Sequence, residues 1–407
     1  MMKKEELLAE GESYVNVIEA EKSAHPRISV IMPSLNVAKY ITECVESVRN
    51  QSLFEIEILC VDAGSTDGTY EILRDFAEKD SRIKIICSTQ KSYGYQMNLA
   101  LEAARGEYIG IVETDDYADL EMFERLYVKA SANDLDVVKS NYYCHTEEKD
   151  MFFELFAGLP YGKVIQPNDY PSLVMRRPAI WSGIYKKEFL DKNHIRFLET
   201  PGASYQDTSF IMKVWICAER VCLDKDAYLH YRMDNPNSSV KSYEKSLYVR
   251  DEMRAACAFL EAQPEIKRTF IGVLWDHEAD TYEWNFKRLA DELKYDFLKG
   301  IQGRFQEGLD QGIYVRQHMR HQVWNMVQQV ADNPLLFLRG RCSEEVYTRL
   351  LETAGDNKPS NKQIRRWMIK QNAMLVPETV VDVFCFARNY GIPYCISAVL
   401  KKNQPEQ

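Results

Sequence analysis

Three carboxylates crowd the end of a short apolar run in GEYIGIVETDDYAD, residues 106–119. Glu113, Asp115 and Asp116 follow Tyr108 to Val112, whose length and apolar character predict a buried central strand of an α/β sheet. Ligands of such sheets bind outside the carboxyl ends of the strands. Hard oxygen ligands grouped there suit Mg2+ or Mn2+, which take one or two protein carboxylates and complete their shells with phosphate oxygens. The plainer alternative has Asp115 and Asp116 capping a helix that starts near Leu120. A second loop, VDAGSTDGT at residues 61–69, sets Asp62 at a strand end beside small residues and a helix start. Free N–H groups at such a start suit a nucleoside and its phosphates; the alternative is an ordinary turn capped by Ser65 or Asp67.

The elements that must position these acids alternate. Apolar runs predict strands over 28–32, 56–61, 83–87, 108–112 and 137–142. Between them, Val37, Tyr40, Ile41, Cys44, Val45 and Val48 recur at helical spacing, with Asn36 placed to cap. Ile72, Leu73, Phe76 and Ala77 form the inner face of a second helix. Met97, Ala100, Leu101 and Ala104 form that of a third, which Gly106 is expected to stop. Strands and helices alternating at this spacing mean βαβ units and a mainly parallel sheet. Residues 1–25 are polar and read as an extension outside the fold. The alternation occupies 26–142, residues 143–245 mix short apolar runs with loop signals, and 246–407 read as helical. Ser360 and Gln363 have capping-box spacing, and Pro377 can start a last helix that Gly391 ends.

Composition excludes several classes. The chain has 407 residues and a formal net charge of −10, which argues against a nucleic-acid binder held by phosphate contacts. No window approaches the ~20 apolar residues of a membrane span, and no secretory h-region is visible. The ten cysteines form no C-x-x-C and several lie in apolar runs, so reduced thiols of a cytoplasmic protein are expected. No G-x-G-x-x-G follows the first strand and no Walker loop exists, which disfavours dehydrogenases and P-loop NTPases.

From about Arg27 to Tyr243 the chain resembles the inverting family 2 glycosyltransferases, whose catalytic domain has the GT-A fold. SVIMPSLN resembles that family's first strand and loop, VDAGSTDGT its acidic second loop, and GEYIGIVETDD the strand with its D-x-D motif. SYQDTSF resembles the motif that supplies the base, and YRMDNPNSSV the basic, hydroxyl-rich closing segment. The resemblance implies a Rossmann-like GT-A domain with an additional α-helical C-terminal domain. In it, 26–142 would bind the nucleotide-sugar and 143–245 the acceptor.

Carried over residue by residue, the resemblance implies that Pro33, Ser34, Asn36 and Asp62 hold the nucleoside. Glu113 would lie near the ribose and the metal, Thr114 would contact the nucleotide, Asp115 would bind Mg2+ or Mn2+, Asp207 would be the general base, and Arg232 would face the leaving diphosphate. The sequence departs from the family pattern in three places: Ala63 follows Asp62, Met97 stands where an arginine is usual, and Gln206 replaces a glutamate. Lys91 is the candidate to replace the missing charge.

The implied reaction moves a sugar from a nucleotide-diphosphate donor, a UDP-sugar first among them, to a hydroxyl of a glycan or lipid-linked acceptor. The implied setting is surface-polysaccharide assembly, cytoplasmic or peripheral at the inner face of a membrane. The helical domain is a candidate for homo-oligomer or membrane contact.

Trp181, Tyr185 and Tyr205, with Gln206, are candidates to meet sugar rings, though aromatics in such runs also build cores. Asp207 also suits a first helical turn, where its charge favours the dipole, and Arg232 an ordinary ion pair. His318 and His321 are spaced for one helix face without a third ligand for zinc. Asp276, His277, Glu278 and Asp280 read as a solvated helix face. Two rivals remain: a non-catalytic glycan- or partner-binding scaffold, and a sugar-nucleotide nucleotidyltransferase, for which PSLN lacks the glycine-rich basic loop.

Overall fold

The apolar runs do become the centre of a sheet. The computed structural model describes residues 14–16, 25–203, 205–235 and 248–366, which fall into two compact units, residues 1–239 and 240–407.

In the first unit, β1 (Tyr14–Asn16) and β2 (Ile28–Ser34) precede α1 (Ile41–Arg49). Then follow β3 (Ile56–Asp62), α2 (Thr69–Lys79), β4 (Ile83–Cys87), α3 (Tyr93–Ala103), β5 (Tyr108–Ile111), β6 (Tyr117–Ala118) and α4 (Met122–Ala132). The unit continues with β7 (Val137–His145), β8 (Asp150–Phe153), β9 (Val164–Ile165), β10 (Gly183–Lys186), α5 (Lys187–Lys192), α6 (Gln206–Cys217) and β11 (Val221–Arg232).

The sheet runs β1-β4-β3-β2-β5-β10-β7-β11-β6, with β8 paired to β7 and β9 to β11. The pairs β4-β3, β3-β2 and β2-β5 are parallel, as the alternation predicts. β10 inserts antiparallel between β5 and β7, so the sheet changes character where residues 143–245 join it. Every residue of β2 and β3 is buried, because helices cover both faces of a parallel sheet.

Several local expectations are corrected. Residues 1–25 are not wholly outside the fold: β1 pairs antiparallel with β4 and extends the sheet edge. Asn36 does not cap α1, which starts five residues later; with φ of 55° its side chain accepts the Thr66 N–H at 2.8 Å. α3 ends at Ala103, before Gly106. A Cβ on Gly106 would collide with the backbone of Ile28 and Ser29, so close strand approach, not helix termination, is what requires glycine there.

The second unit is helical: α7 (Val249–Glu261), α8 (Pro264–Arg288), α9 (Asp291–Asp310), α10 (His321–Asp332), α11 (Pro334–Leu338) and α12 (Glu344–Thr353). Its core gathers Met253, Leu274, Trp275, Tyr282, Phe297, Phe305, Met326 and Val330. The expected solvated face on α8 is instead largely buried. Glu278 is fully enclosed and accepts from Tyr282 and from Arg304 Nε at 3.1 Å, while Asp280 accepts from Arg320. Tyr282 is one turn along α8, but Arg304 comes from α9 and Arg320 from the turn before α10, which charge spacing along α8 cannot display. His318 ends a 3-10 turn and His321 opens α10, so the two do not share a helix face.

The Ser360 capping box forms reciprocally, with Gln363 Oε1 accepting from Ser360 N and Ser360 Oγ from Gln363 N. The expected helix from Pro377 to Gly391 lies outside the described residues. No described helix is long and apolar enough to cross a membrane, and the eight described cysteines are free thiols.

Candidate active site

Loops after β2 and β3 build the first wall. β2 and β3 run parallel in register to Ser34 and Asp62, so the two loops leave the sheet side by side. Asp62 is fully buried and its carboxylate accepts from Gly64 N at 3.0 Å and Ser65 N at 3.1 Å. Ser65 Oγ accepts from Asn36 N, Thr69 Oγ1 from Val37 N, and Asp67 from Ala38 N. Ser34 turns its hydroxyl to the Val61 carbonyl, and Gln96 bridges the Ser34 and Val61 carbonyls from α3. Pro33, Ser34, Asn36 and Asp62 therefore do come together. Most of their polar groups tie one loop to the other, leaving an ordered rim.

The acids form the second wall. Thr114 donates to the Pro33 carbonyl at 2.7 Å and pins the stretch after β5 to the end of β2. Asp115 and Asp116 do not cap α4, whose first residue is Met122. Asp115 accepts from Asn235 Nδ2 at 2.8 Å. Asp116 is 1% exposed; Oδ1 accepts from Arg232 N at 2.8 Å while Oδ2 is buried without a hydrogen-bond partner. Burial pushes the Asp116 carboxyl well above the usual carboxylate range, and Asp115 and Glu113 push it further. Glu113 is raised to about 8 by burial, with Asp115 and Asp207 adding to the shift against one stabilising bond, from Tyr93 OH at 2.5 Å.

Arg232 holds this group from β11. Its Nε donates to the Asp115 carbonyl at 2.8 Å, and its Nη2 meets Glu43 at 2.7 Å. β6 is hydrogen-bonded to β11 at Leu229 and His230, which fixes the chain just past Asp116 beside the chain leading to Arg232.

The third wall is the start of α6. Tyr205 sits before it with φ of 64°, and Asp207 lies in its first turn. Burial raises Asp207 from 3.8 to about 6, opposed by hydrogen bonds with Thr208. Its field reaches Glu113, Tyr93 and Tyr185. Gln206 is buried, and its amide donates to Thr200 and Gly202, shaping the preceding loop from within. Gly202 N in turn donates to the Lys91 carbonyl, so Lys91 lies beside this loop with its side chain exposed. Trp181 is buried, stacked on Tyr231 at 5.2 Å and edge-on to Tyr142. Met97, at the position of the missing arginine, is wholly buried.

Neither Tyr93 nor Asn235, the donors to Glu113 and Asp115, stands out in the sequence. Both lay inside quoted segments, KSYGYQMN and YRMDNPNSSV, but nothing in local spacing shows that they face these acids.

A divalent cation fits the second wall. Asp116 Oδ2 is buried without a hydrogen-bond partner, and Asp115 and Glu113 oppose the charge on Asp116, so a divalent cation beside it would be favoured. A separate group with metal-ligand spacing is His145, Asp150 and His230.

Comparison with known proteins gives a family. Residues 29–184 match the family model described as Glycosyl transferase family 2. Over 220 residues the chain is 32% identical to the uncharacterized glycosyltransferase EpsJ of Bacillus subtilis, covering 52% of this chain and 62% of that protein. It is 30% identical over 217 residues to the glycosyltransferase GlyG of Streptococcus pneumoniae, covering 50% of this chain and 70% of that protein. The chain thus spans rather less than two thirds of EpsJ. Among solved structures, S. aureus TarS 1–349 in complex with UDP-GlcNAc aligns at TM-score 0.49 and 19% identity, covering 77% of this chain and 92% of that one.

Proposed function

This chain belongs to glycosyl transferase family 2, and from that premise we propose that it moves a sugar from a nucleotide-diphosphate donor to an acceptor hydroxyl with inversion. The acceptor class is a glycan or lipid-linked saccharide of polysaccharide assembly. The observation that carries the reading is the convergence of the raised acids Glu113, Asp116 and Asp207 at the carboxyl edge of a parallel sheet.

The rim of Pro33, Ser34, Asn36 and Asp62 receives the nucleoside, with Glu113 and Thr114 on the ribose side. Lys91, exposed beside the loop at Gly202, adds positive charge. Asp115, with Asp116 beside it, would hold Mg2+ or Mn2+. When bound, that ion neutralises the charge that develops on the leaving diphosphate. Arg232 keeps Asp115 and Asp116 in place through its backbone and guanidinium N–H groups and adds a positive charge beside them.

Asp207 is the base. With its affinity for protons raised to about 6, it is largely ionised at neutral pH yet able to hold a proton as the acceptor oxygen attacks the anomeric carbon. Attack opposite the leaving diphosphate inverts the anomeric centre. Tyr205 and Gln206 order the approach to Asp207, and Trp181 braces the aromatic stack behind the acceptor side.

The test is nucleotide release from a panel of UDP-, GDP-, CDP- and dTDP-sugars with Mn2+, wild type beside Asp115→Ala and Asp207→Asn. Turnover of one donor, lost in both variants, is expected. No turnover together with no Mn2+-dependent nucleotide binding by calorimetry would sink the reading and leave a non-catalytic scaffold.

A further inference from the structure

Behind the acid wall, on the other side of Tyr117, three metal-binding side chains meet from distant parts of the chain. His145 ends β7, Asp150 opens β8, and His230 lies near the end of β11. One donor atom from each falls within 4.8 Å of the other two. Asp150 stands between the rings: Oδ1 is 2.7 Å from His145 Nδ1 and Oδ2 is 3.1 Å from His230 Nδ1. Donors around a tetrahedral zinc ion with bonds of about 2.0–2.1 Å are separated by about 3.3 Å, so these contacts are already near that spacing.

The state of His230 points to a cation. The residue is 8% exposed, stacked between Tyr117 at 4.3 Å and Tyr143 at 4.9 Å. Its Nε2 lies 3.1 Å from Asp119 Oδ1, which places the proton of the neutral ring on Nε2. Nδ1 then presents a lone pair toward Asp150 Oδ2. It is buried, and Asp150 Oδ2 at 3.1 Å is the group it faces, a pairing that needs a proton or a metal ion between the two atoms. A lone pair aimed at a carboxylate is repulsive until a positive charge lies between them. The carboxylate of Asp119 on the far nitrogen is the arrangement that orients a ligating imidazole and raises its basicity.

We propose that His145, Asp150 and His230 form a second metal site, selective for Zn2+ or a similar nitrogen-preferring transition ion and distinct from the Mg2+- or Mn2+-type edge at Asp115. Two imidazole nitrogens and one carboxylate match zinc better than magnesium, which prefers oxygen alone. Asp150 and Asp119 supply two negative charges to balance a divalent ion. Binding takes the proton off His145 Nδ1, the neutral ring then carrying its one proton on Nε2, and the zinc ion replaces the Tyr117 OH contact, 3.1 Å, on that nitrogen. The ion would fasten the β7–β8 hairpin to β11 two residues before Arg232, bracing the strand that holds Asp115 and Asp116.

The experiment strips the full chain with chelator and titrates Zn2+ against a chromophoric competitor, without nucleotide. One Zn2+ per chain is expected, with binding weakened at least about 100-fold in His145→Ala and in Asp150→Ala, and about 10–100-fold in Asp119→Asn. Asp115→Ala should bind Zn2+ as wild type does. His145 and Asp150 are partly exposed, so circular dichroism of those variants should match wild type, and a Zn2+-dependent rise in melting temperature should be confined to proteins with the intact trio. Equal Zn2+ affinity in wild type and His145→Ala, or loss of the site in Asp115→Ala alone, would overturn the proposal. Absence of Zn2+ binding would also overturn it, leaving only a protonated imidazole–carboxylate bridge.

Discussion

Glu57 and Glu113 are two glutamates enclosed at opposite edges of the same parallel strands, and the protein treats them in opposite ways. Glu57 lies at the start of β3, 3% exposed, and accepts from Ser29 at 2.6 Å, Lys84 at 2.8 Å and Arg105 N at 2.6 Å. Burial alone would raise its carboxyl, yet those partners outweigh burial and hold it below the usual glutamate value. Glu113 lies past the end of β5 with the Tyr93 hydroxyl against it, and burial with two acidic neighbours lifts it to about 8. The amino edge of the sheet is electrostatically finished by the chain itself. The carboxyl edge is left acidic and under-compensated, a stored cost that only a cationic or proton-bearing ligand relieves.

The sharpest way to break this contrast is Asp115→Ala. Turnover of the active donor should fall by about 10²–10³-fold, the scale of losing one electrostatic stabiliser of a transition state, while the melting temperature stays near wild type. A stable variant with full turnover would remove the cation from the account. Next in size is Glu57→Ala, which should cost about 2–3 kcal/mol in urea unfolding, because Lys84 loses a buried partner while the more exposed Arg105 loses less. Glu113→Gln measured beside it should cost under about 0.5 kcal/mol at pH 9 or stabilise, since it deletes a charge the fold disfavours. Equal losses in the two variants would erase the difference between the edges.

The smallest effects sharpen the picture. Tyr93→Phe removes the hydroxyl that lowers the Glu113 value, so the Glu113 carboxyl should titrate above about 8, visible by 13C NMR of labelled glutamate, for about 1 kcal/mol of lost hydrogen bonding. In wild type, log kcat/KM should fall with decreasing pH below about 6, as Asp207 takes up the proton it must be free to accept. Stability responds with the opposite sign. A carboxyl raised from 3.8 to about 6 on folding favours the folded state most when both forms are protonated, and that contribution is lost as pH rises through about 6.

The sheet was legible because its strands are unbroken apolar runs and its helices keep strict spacing; β2, β3, β4 and β5 lie where the sequence places them, and β7 runs on to His145. Local pattern failed where partners are remote. Glu278 looks solvated along α8 until Arg304 of α9 closes over it, and Asn36 looks like a cap until its left-handed backbone turns it to Thr66. The acids after β5 were readable as a cluster, but their frustration was not, since it depends on Tyr93 arriving from α3 and on Arg232 and Asn235 arriving from the end of β11. The His145–Asp150–His230 group was invisible for the same reason. Two of its members are neighbours on a hairpin, and the third arrives 80 residues later on a parallel strand.

The most direct test of an edge kept acidic for ligand and chemistry is Asp207→Asn at pH 8, with thermal unfolding and donor turnover measured on the same preparation. Turnover should be lost by about 10²–10⁴-fold with a melting temperature at or above wild type, because the substitution removes the proposed base and a disfavoured buried charge together. A lower melting temperature with turnover retained would contradict it and make Asp207 a structural residue.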